Sequence, residues 1–351
     1  MRLKATHAVI VLSAAVLLGG GALAGAASLG ASTVSMAPGD TATVNCAGPS
    51  LAWSATSTTS GNLACATIPP TAPPVTTTPA GSWWQPGPAP LEWQWEIDHP
   101  LSLTSATDMG TNDTAYNGDV APADSPTVYD IDGILNPAST VSALRARGDE
   151  TICYIEVGTA GNYYSAADEG ISTTYYAQLQ AAGVFGKKLS GYPESFLNIN
   201  SPATVSIIES MIQQQCAAKK FTAVETDLDE TYSGADGSTG FTLTEANEVT
   251  YMDTLANYMH GLGLAWVAKN PDDTGDNYAT EIYPEADLVL SEQSRQYGTS
   301  SALAIFNGTK PILDAEYPLA TSKFCPTDNA TSSWDGAKFP QSLNGTRTPC
   351  R

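Results

Sequence analysis

Thr222-Ala223-Val224-Glu225-Thr226-Asp227-Leu228-Asp229 is a short β-branched and apolar run that ends in acids. Side chains alternate along a strand, so an extended backbone here sets Glu225, Asp227 and Asp229 on a single face. The pattern returns in Leu264-Ala265-Trp266-Val267-Ala268-Lys269-Asn270, in Asp287-Leu288-Val289-Leu290-Ser291-Glu292 and in Lys310-Pro311-Ile312-Leu313-Asp314-Ala315-Glu316. Helical stretches follow, and strand and helix in alternation are the mark of a parallel sheet. In an α/β barrel the carboxyl ends of all strands meet on one face. Acids at those ends would share a pocket and point to acid/base chemistry.

Outward from that segment, strand candidates fall at 91–97, 127–132, 151–158, 196–199, 223–228, 264–268, 287–291 and 311–315. Eight such strands predict an α/β fold, a (β/α)8 TIM barrel. Asn136-Pro137, Ser201-Pro202 and Thr244 with Glu248 nearby offer capping residues or an N1 proline where helices should begin. The 351 residues exceed the roughly 250 that a barrel takes, which leaves room for an appendage. Residues 27–67 are rich in Ser, Thr and Ala and alternate in stretches such as Thr41-Ala42-Thr43-Val44. They are expected to form a small disulfide-pinned β-rich N-terminal module, in which Trp53 is either a sugar platform or a miniature core. Residues 68–82 read as a Pro/Thr-rich extended linker, and 83–351 as the barrel with a C-terminal tail.

Residues 1–26 have a secretory signal's layout: Arg2 and Lys4, an apolar run from Ala8 to Leu18, then small residues at Ala24-Gly25-Ala26. Cleavage predicts a secreted, extracellular protein with no membrane association; an uncleaved anchor is the alternative. Fifteen Lys and Arg against 36 Asp and Glu give a net charge of −21, which repels nucleic acid and anionic lipid and suits a neutral or cationic partner. Export permits disulfides. Cys46 with Cys65 and Cys325 with Cys350 would each close a local loop, the second pair around a helix-poor tail. Cys153 and Cys216 are either bridged or buried thiols. None of these has a His at metal-ligand or nucleophile spacing, and only His7, His99 and His260 exist. No metal, cofactor or Ser-His-Asp triad is expected.

Tyr129-Asp130-Ile131-Asp132 sets two acids at i and i+2, as Glu225 and Asp227 do. Burying so many carboxylates is unfavourable unless they are paired, hydrated or presented to a ligand. Two carboxyls in one pocket are the usual equipment of glycoside hydrolases. Asp227 and Glu292, on different strands, could flank a scissile bond. Lys269 and Asn270 between them could bind hydroxyls and keep a neighbouring acid ionised. Trp93, Trp95, Tyr129, Tyr232 and Tyr317 are candidate stacking faces for sugar rings.

Taken together, Trp93-Gln94-Trp95, Val128-Tyr129-Asp130-Ile131-Asp132, Ile152-Cys153-Tyr154 with Gly158, Tyr192-Pro193-Glu194, Val224-Glu225-Thr226-Asp227, Thr239-Gly240-Phe241, Lys269-Asn270, Glu292-Gln293 and Glu316-Tyr317 resemble the endo-α-1,4-polygalactosaminidase family, glycoside hydrolase family 114. The match spans roughly Trp84 to Leu319. The resemblance implies a secreted barrel that cleaves α-1,4-linked galactosamine-containing polysaccharide. It implies Asp227 and Glu292 as the catalytic pair, in either assignment of roles, with substrate contacts from Trp95, Tyr129, Asp130, Asp132, Glu225, Tyr232, Lys269, Asn270, Gln293, Glu316 and Tyr317. The chain departs from the family pattern after Gly158, where Thr159-Ala160-Gly161-Asn162-Tyr163-Tyr164 replaces a Glu and a following Arg. It departs again at Leu228-Asp229-Glu230-Thr231-Tyr232 and at Asn198. The alternatives are a non-catalytic polysaccharide-binding barrel and a glycosidase of another glycan.

Overall fold

The computed structural model describes residues 83–118, 125–227, 231–232, 239–273 and 276–351, together with the backbone of four short strands nearer the N-terminus. The chain divides into Met1–Thr71 and Ala72–Arg351. In the first unit Ser32–Met36 pairs antiparallel with Thr59–Leu63, and Thr41–Val44 with Leu51–Ser54. The signal segment, the linker at 68–82, Cys46, Cys65, the Trp53 side chain and Asp229 lie outside the described residues. No helix among the described residues is long and apolar enough to cross a membrane.

The second unit is built on a curled nine-stranded sheet, TIM-barrel-like in its order. Its strands are β1 (Trp93–Glu96), β2 (Val128–Asp132), β3 (Glu150–Glu156), β4 (Ala223–Asp227), β5 (Ala265–Lys269), β6 (Leu288–Glu292), β7 (Ile312–Glu316), β8 (Trp334–Lys338) and β9 (Thr348–Pro349). Strands β1 to β8 lie side by side in chain order, all parallel, and β9 adds antiparallel to β8. Seven of the eight expected strands are here.

The exception is 196–199. Glu194–Leu197 pairs instead with Thr159–Gly161 and Phe185–Lys188 in a separate antiparallel sheet inserted between β3 and β4. The eighth parallel strand is β8, from the supposedly helix-poor tail. That tail also holds the helix Thr321–Asp328. Gly336 in β8 is required by its surroundings, since a Cβ there would sit 2.2 Å from Asp328 Oδ2.

Alternation along the strands separates two cores. Trp93, Trp95, Val128, Ile152, Ala223, Ala265, Val267, Leu288, Leu290, Leu313, Ala315 and Ala337 fill the inside of the curl, small residues against large. Tyr129, Ile131, Cys153, Ile155, Val224, Trp266, Ala268, Val289, Ile312 and Trp334 form the second core with the helices. The helix Pro202–Met211 starts at Ser201, whose hydroxyl accepts from Ala203 N–H, with proline in its first turn. Thr244 caps Glu245–Gly261 in a reciprocal box with Asn247 rather than Glu248. Asn136 does not cap; its side chain accepts from Leu101 N–H and donates to the Asp132 carbonyl.

Cys153 on β3 is bridged to Cys216 in the π-helical turn Ile212–Ala217, and Cys325 to Cys350. The C-terminal segment lies against β1: Ile97 N–H donates to the Leu343 carbonyl, Gln94 Nε2 to the Gly345 carbonyl and Arg347 Nη1 to the Trp93 carbonyl.

Buried acids set the pH response. Asp335 on β8 is pushed up to about 7, by burial against the opposing pull of a backbone donor at Leu91 and of Arg351. A carboxyl raised on folding favours the native state fully below its unfolded pKa, and that benefit is lost as pH rises through the folded one. Each pKa unit is worth about 1.4 kcal/mol. The melting temperature is therefore expected to fall by several degrees between pH 5 and pH 8, and to fall less in Asp335→Asn. Thermal unfolding across that range checks this, and a profile that rises with pH contradicts it.

Candidate active site

Three inward-facing strand ends bring their charges together. Lys269, the last residue of β5, is buried, and its ammonium donates to Glu225 Oε1 at 3.0 Å and to Asp227 Oδ1 at 2.6 Å. It also lies 3.2 Å from Glu292 Oε2. Below it lies the face of Trp95, its ring centroid 4.9 Å from Nζ. Burial alone would lower the lysine pKa; the charges of Asp227, Glu225 and Glu292 outweigh burial and hold it well above the ordinary value. The ammonium is therefore a fixed cation at neutral pH.

Each of the two outer carboxylates has further donors. Asp227 Oδ2 accepts from Tyr154 Oη at 2.7 Å. Glu292 Oε1 accepts from Tyr317, and Oε2 accepts from Asn270 Nδ2 at 3.1 Å. Asn270 Oδ1 in turn accepts from the Glu292 backbone N–H at 2.8 Å. Asn270 and Gln293, just past β5 and β6, have φ of +45° and +57°. Left-handed backbone at non-glycine residues is strained and concentrates at functional sites. Here it turns the Asn270 amide onto Glu292.

Beneath this layer Asp130 and Glu225 are fully buried. Burial, then the nearby Glu225 charge, pushes Asp130 well above the usual carboxylate range. Beside Asp227 in the register is Glu156, at the end of β3. Burial raises its carboxyl well above normal, and the charges of Glu194 and Asp227 add to this. Glu194 accepts from Thr159 Oγ1 at 2.6 Å and from Tyr163 Oη at 2.5 Å. Asp132 accepts from Tyr164 Oη at 2.6 Å and from the backbone of Ile134 and Leu135.

The expected residues thus separate by position. Asp227, Glu292, Lys269, Asn270 and Tyr317 meet at the mouth; Asp130, Glu225 and Trp95 are their buried support, so Trp95 offers no open face to a sugar. Two others sit elsewhere. Tyr129 is turned to the helices, where its hydroxyl donates to the Met109 carbonyl at 3.1 Å. Glu316 accepts from the backbone of Arg295 and Gln296 at 2.9 and 3.1 Å, holding the start of the helix Ser294–Tyr297. Tyr232 is half-buried with its ring 6.2 Å from that of Tyr278. Gln293 contributes its backbone bend. Tyr154 and Glu156 were missed as site residues, although the i, i+2 rule that placed Asp130 and Asp132 applies equally to β3.

Lys269 Nζ touches both Asp227 and Glu292, so their nearer oxygens are no farther apart than the two contact lengths combined, about 5.8 Å. A barrel mouth holding two carboxylates this close, on strands separated by a third, is the equipment of a glycoside hydrolase. The chain belongs to glycoside-hydrolase family GH114, whose profile matches residues 74–342. Its fold is similar to that of Aspergillus fumigatus Ega3, crystallised with galactosamine, with TM-score 0.61 and 22% identity over 78% of this chain and 100% of that one. The glycoside hydrolase domain of Pseudomonas aeruginosa PelA gives TM-score 0.44 and 13% identity over 71% and 96% of the two chains. No curated protein sequence matches this chain.

Removing the cation tests the charge account. Lys269→Met leaves three carboxylates facing one another, and breaking a buried ion pair on one side destabilises by about 3–5 kcal/mol. That loss is expected at pH 8 and should shrink near pH 4.5, where the stranded carboxyls take up protons. Urea unfolding at both pH values measures it; equal losses would show that the lysine acts by packing alone.

Proposed function

We propose that this protein is a secreted, endo-acting hydrolase of α-1,4-linked galactosamine-containing polysaccharide, with Asp227 as nucleophile and Glu292 as acid/base. The observation that carries the reading is the separation of at most about 5.8 Å between the nearer oxygens of Asp227 and Glu292. Retaining glycosidases hold their carboxyls about 5–5.5 Å apart, whereas inverting enzymes need roughly 6.5–9.5 Å to admit a water. The geometry therefore supports retention.

In the first step Glu292, protonated from solvent, passes its proton to the leaving oxygen as an Asp227 oxygen attacks the anomeric carbon and the glycosidic C–O bond breaks. In the second, water attacks the same carbon, Glu292 takes its proton, and the bond to Asp227 breaks. Lys269 and Tyr154 donate to both Asp227 oxygens, an arrangement that fits the ionised nucleophile. The Glu292 side chain is the more exposed of the two, 25% against 15%, as suits the group that exchanges protons with leaving group and solvent. Asn270 and Tyr317 aim it.

The substrate class is supported by charge. The chain carries a net −21, and Glu194 lies beyond the catalytic pair. A polymer with free amino groups is cationic and would be drawn to such a mouth. Family membership and the galactosamine bound to Ega3 support the same substrate.

Asp227→Asn and Glu292→Gln are each expected to lower the release of reducing ends from partly deacetylated galactosaminogalactan by about 10³-fold or more. Tyr154→Phe, which removes one hydrogen bond to a charged group, should lower it by about 10- to 100-fold. The first product anomer, read by NMR, should keep the α configuration. Full activity in both carboxyl variants would overturn the assignment. Polymer bound but uncut by the wild type would make the barrel a binding protein, and cleavage confined to another glycan would replace the substrate.

A further inference from the structure

The end of β1 carries a second polar constellation that hydrolysis does not use. Glu96 follows Trp95, so alternation turns it away from the carboxylate cluster and toward the outside of the curl. Its side chain has no exposed surface, yet Oε2 has no hydrogen-bond partner. The other oxygen, Oε1, accepts from the backbone of Asp98 and His99 at 3.0 and 3.2 Å. His99 places Nδ1 3.2 Å from Glu96 Oε1 and Nε2 3.4 Å from Asp108 Oδ2, with Asp98 Oδ2 3.7 Å from Nδ1. Asp108 is buried and pinned, accepting from Ser102 N–H at 2.8 Å and Ser105 Oγ at 2.5 Å.

The unpartnered Glu96 oxygen packs against Gly345, where only glycine fits. A Cβ on Gly345 would lie 2.9 Å from Oε2 and 3.0 Å from the Asp108 Cα, and Gly345 itself has φ +80°. One ligand atom from each of Glu96, His99 and Asp108 falls within 4.8 Å of the others. Around a tetrahedral zinc with bonds near 2.0–2.1 Å, neighbouring ligand atoms are about 3.3 Å apart. His99 Nε2 and Asp108 Oδ2, 3.4 Å apart, match that spacing. One imidazole with two carboxylates is a donor set for zinc-like divalent ions rather than calcium or magnesium, which take oxygen alone.

We propose that Glu96, His99 and Asp108 form a binding site for one zinc-class divalent ion, which braces the exit of β1 against the 102–110 loop. The role is structural. The ion joins two stretches, 96–99 and 102–110, next to Gln94 Nε2, which donates to the carbonyls of Thr107, Asp108 and Gly345 at 2.9, 3.1 and 2.7 Å. The side chain of His99 is 43% exposed, so its replacement leaves the core intact.

The test uses full-length protein stripped with EDTA and exchanged into metal-free buffer at pH 7.5. Zinc chloride is then titrated by calorimetry and followed by thermal unfolding. The wild type should take up one equivalent saturably and gain about 5 °C in melting temperature at 100-fold excess over Kd. His99→Ala and Asp108→Asn should unfold cooperatively near the metal-free wild-type temperature and lose both the uptake and the gain. Unsaturable binding by the wild type, or uptake unchanged in His99→Ala, would assign the zinc to the acidic surface at large and overturn the site. So would a melting temperature that ignores zinc but depends on His99, which would make the histidine a cation bridging two carboxylates on its own.

Discussion

One buried ammonium organises the mouth of this barrel. Taking an ion out of water costs several kcal/mol, and Lys269 offsets that penalty only because three carboxylates and an indole face surround it. The dependence runs both ways. Without the lysine, Glu225, Asp227 and Glu292 would repel one another at close range in a poorly solvated pocket. With it, Asp227 and Glu292 are drawn onto a common point from β4 and β6, and their spacing follows from the length of two ion-pair contacts. In the lower pair, burial and the Glu225 charge raise the Asp130 carboxyl, which eases the remaining repulsion. The spacing of the Asp227–Glu292 pair and the stability of the fold thus rest on the same contact.

Much of this was legible in the chain because a strand's period of two is rigid. Once Glu225 and Asp227 were read as one face, the same rule put Asp130 with Asp132 and turned Val224 and Ile131 outward, as found. Where side-chain chemistry was weighed without that rule, the reading went astray. Tyr129 and Glu316 are attractive sugar contacts by residue type, yet each lies one position out of phase with the inward row of its strand. Tyr154 and Glu156 are in phase and belong to the site. Phase was the better guide.

What could not be read locally is which strands pair. Phe196-Leu197-Asn198-Ile199 has the apolar run and flanking prolines of a buried strand, and it forms one, but its partners are antiparallel neighbours in an insertion. Trp334-Asp335-Gly336-Ala337-Lys338 has a glycine and two charges in five positions, which weakens its intrinsic strand signal. It is a strand because β7 supplies a parallel ladder on one side and β9 an antiparallel one on the other. The close approach of Asp328 explains its glycine, and no inspection of sequence spacing contains that contact.

The departures from the family pattern after Gly158 now have a physical sense. Thr159 stands where a Glu is usual, but it donates its hydroxyl to Glu194, and Glu156 lies three residues earlier, at the end of the inward row of β3. A carboxyl is supplied from the strand end rather than from the loop. The usual Arg has no replacement in Ala160-Gly161-Asn162-Tyr163-Tyr164, so a cation that would neutralise those acids is missing from this stretch. The tyrosines that follow instead donate neutral hydrogen bonds to Glu194 and Asp132. Neutral donors hold acids in place without cancelling their field. The Tyr163 and Tyr164 hydroxyls thus fix Glu194 and Asp132 through neutral hydrogen bonds, where an internal Arg would have made an ion pair.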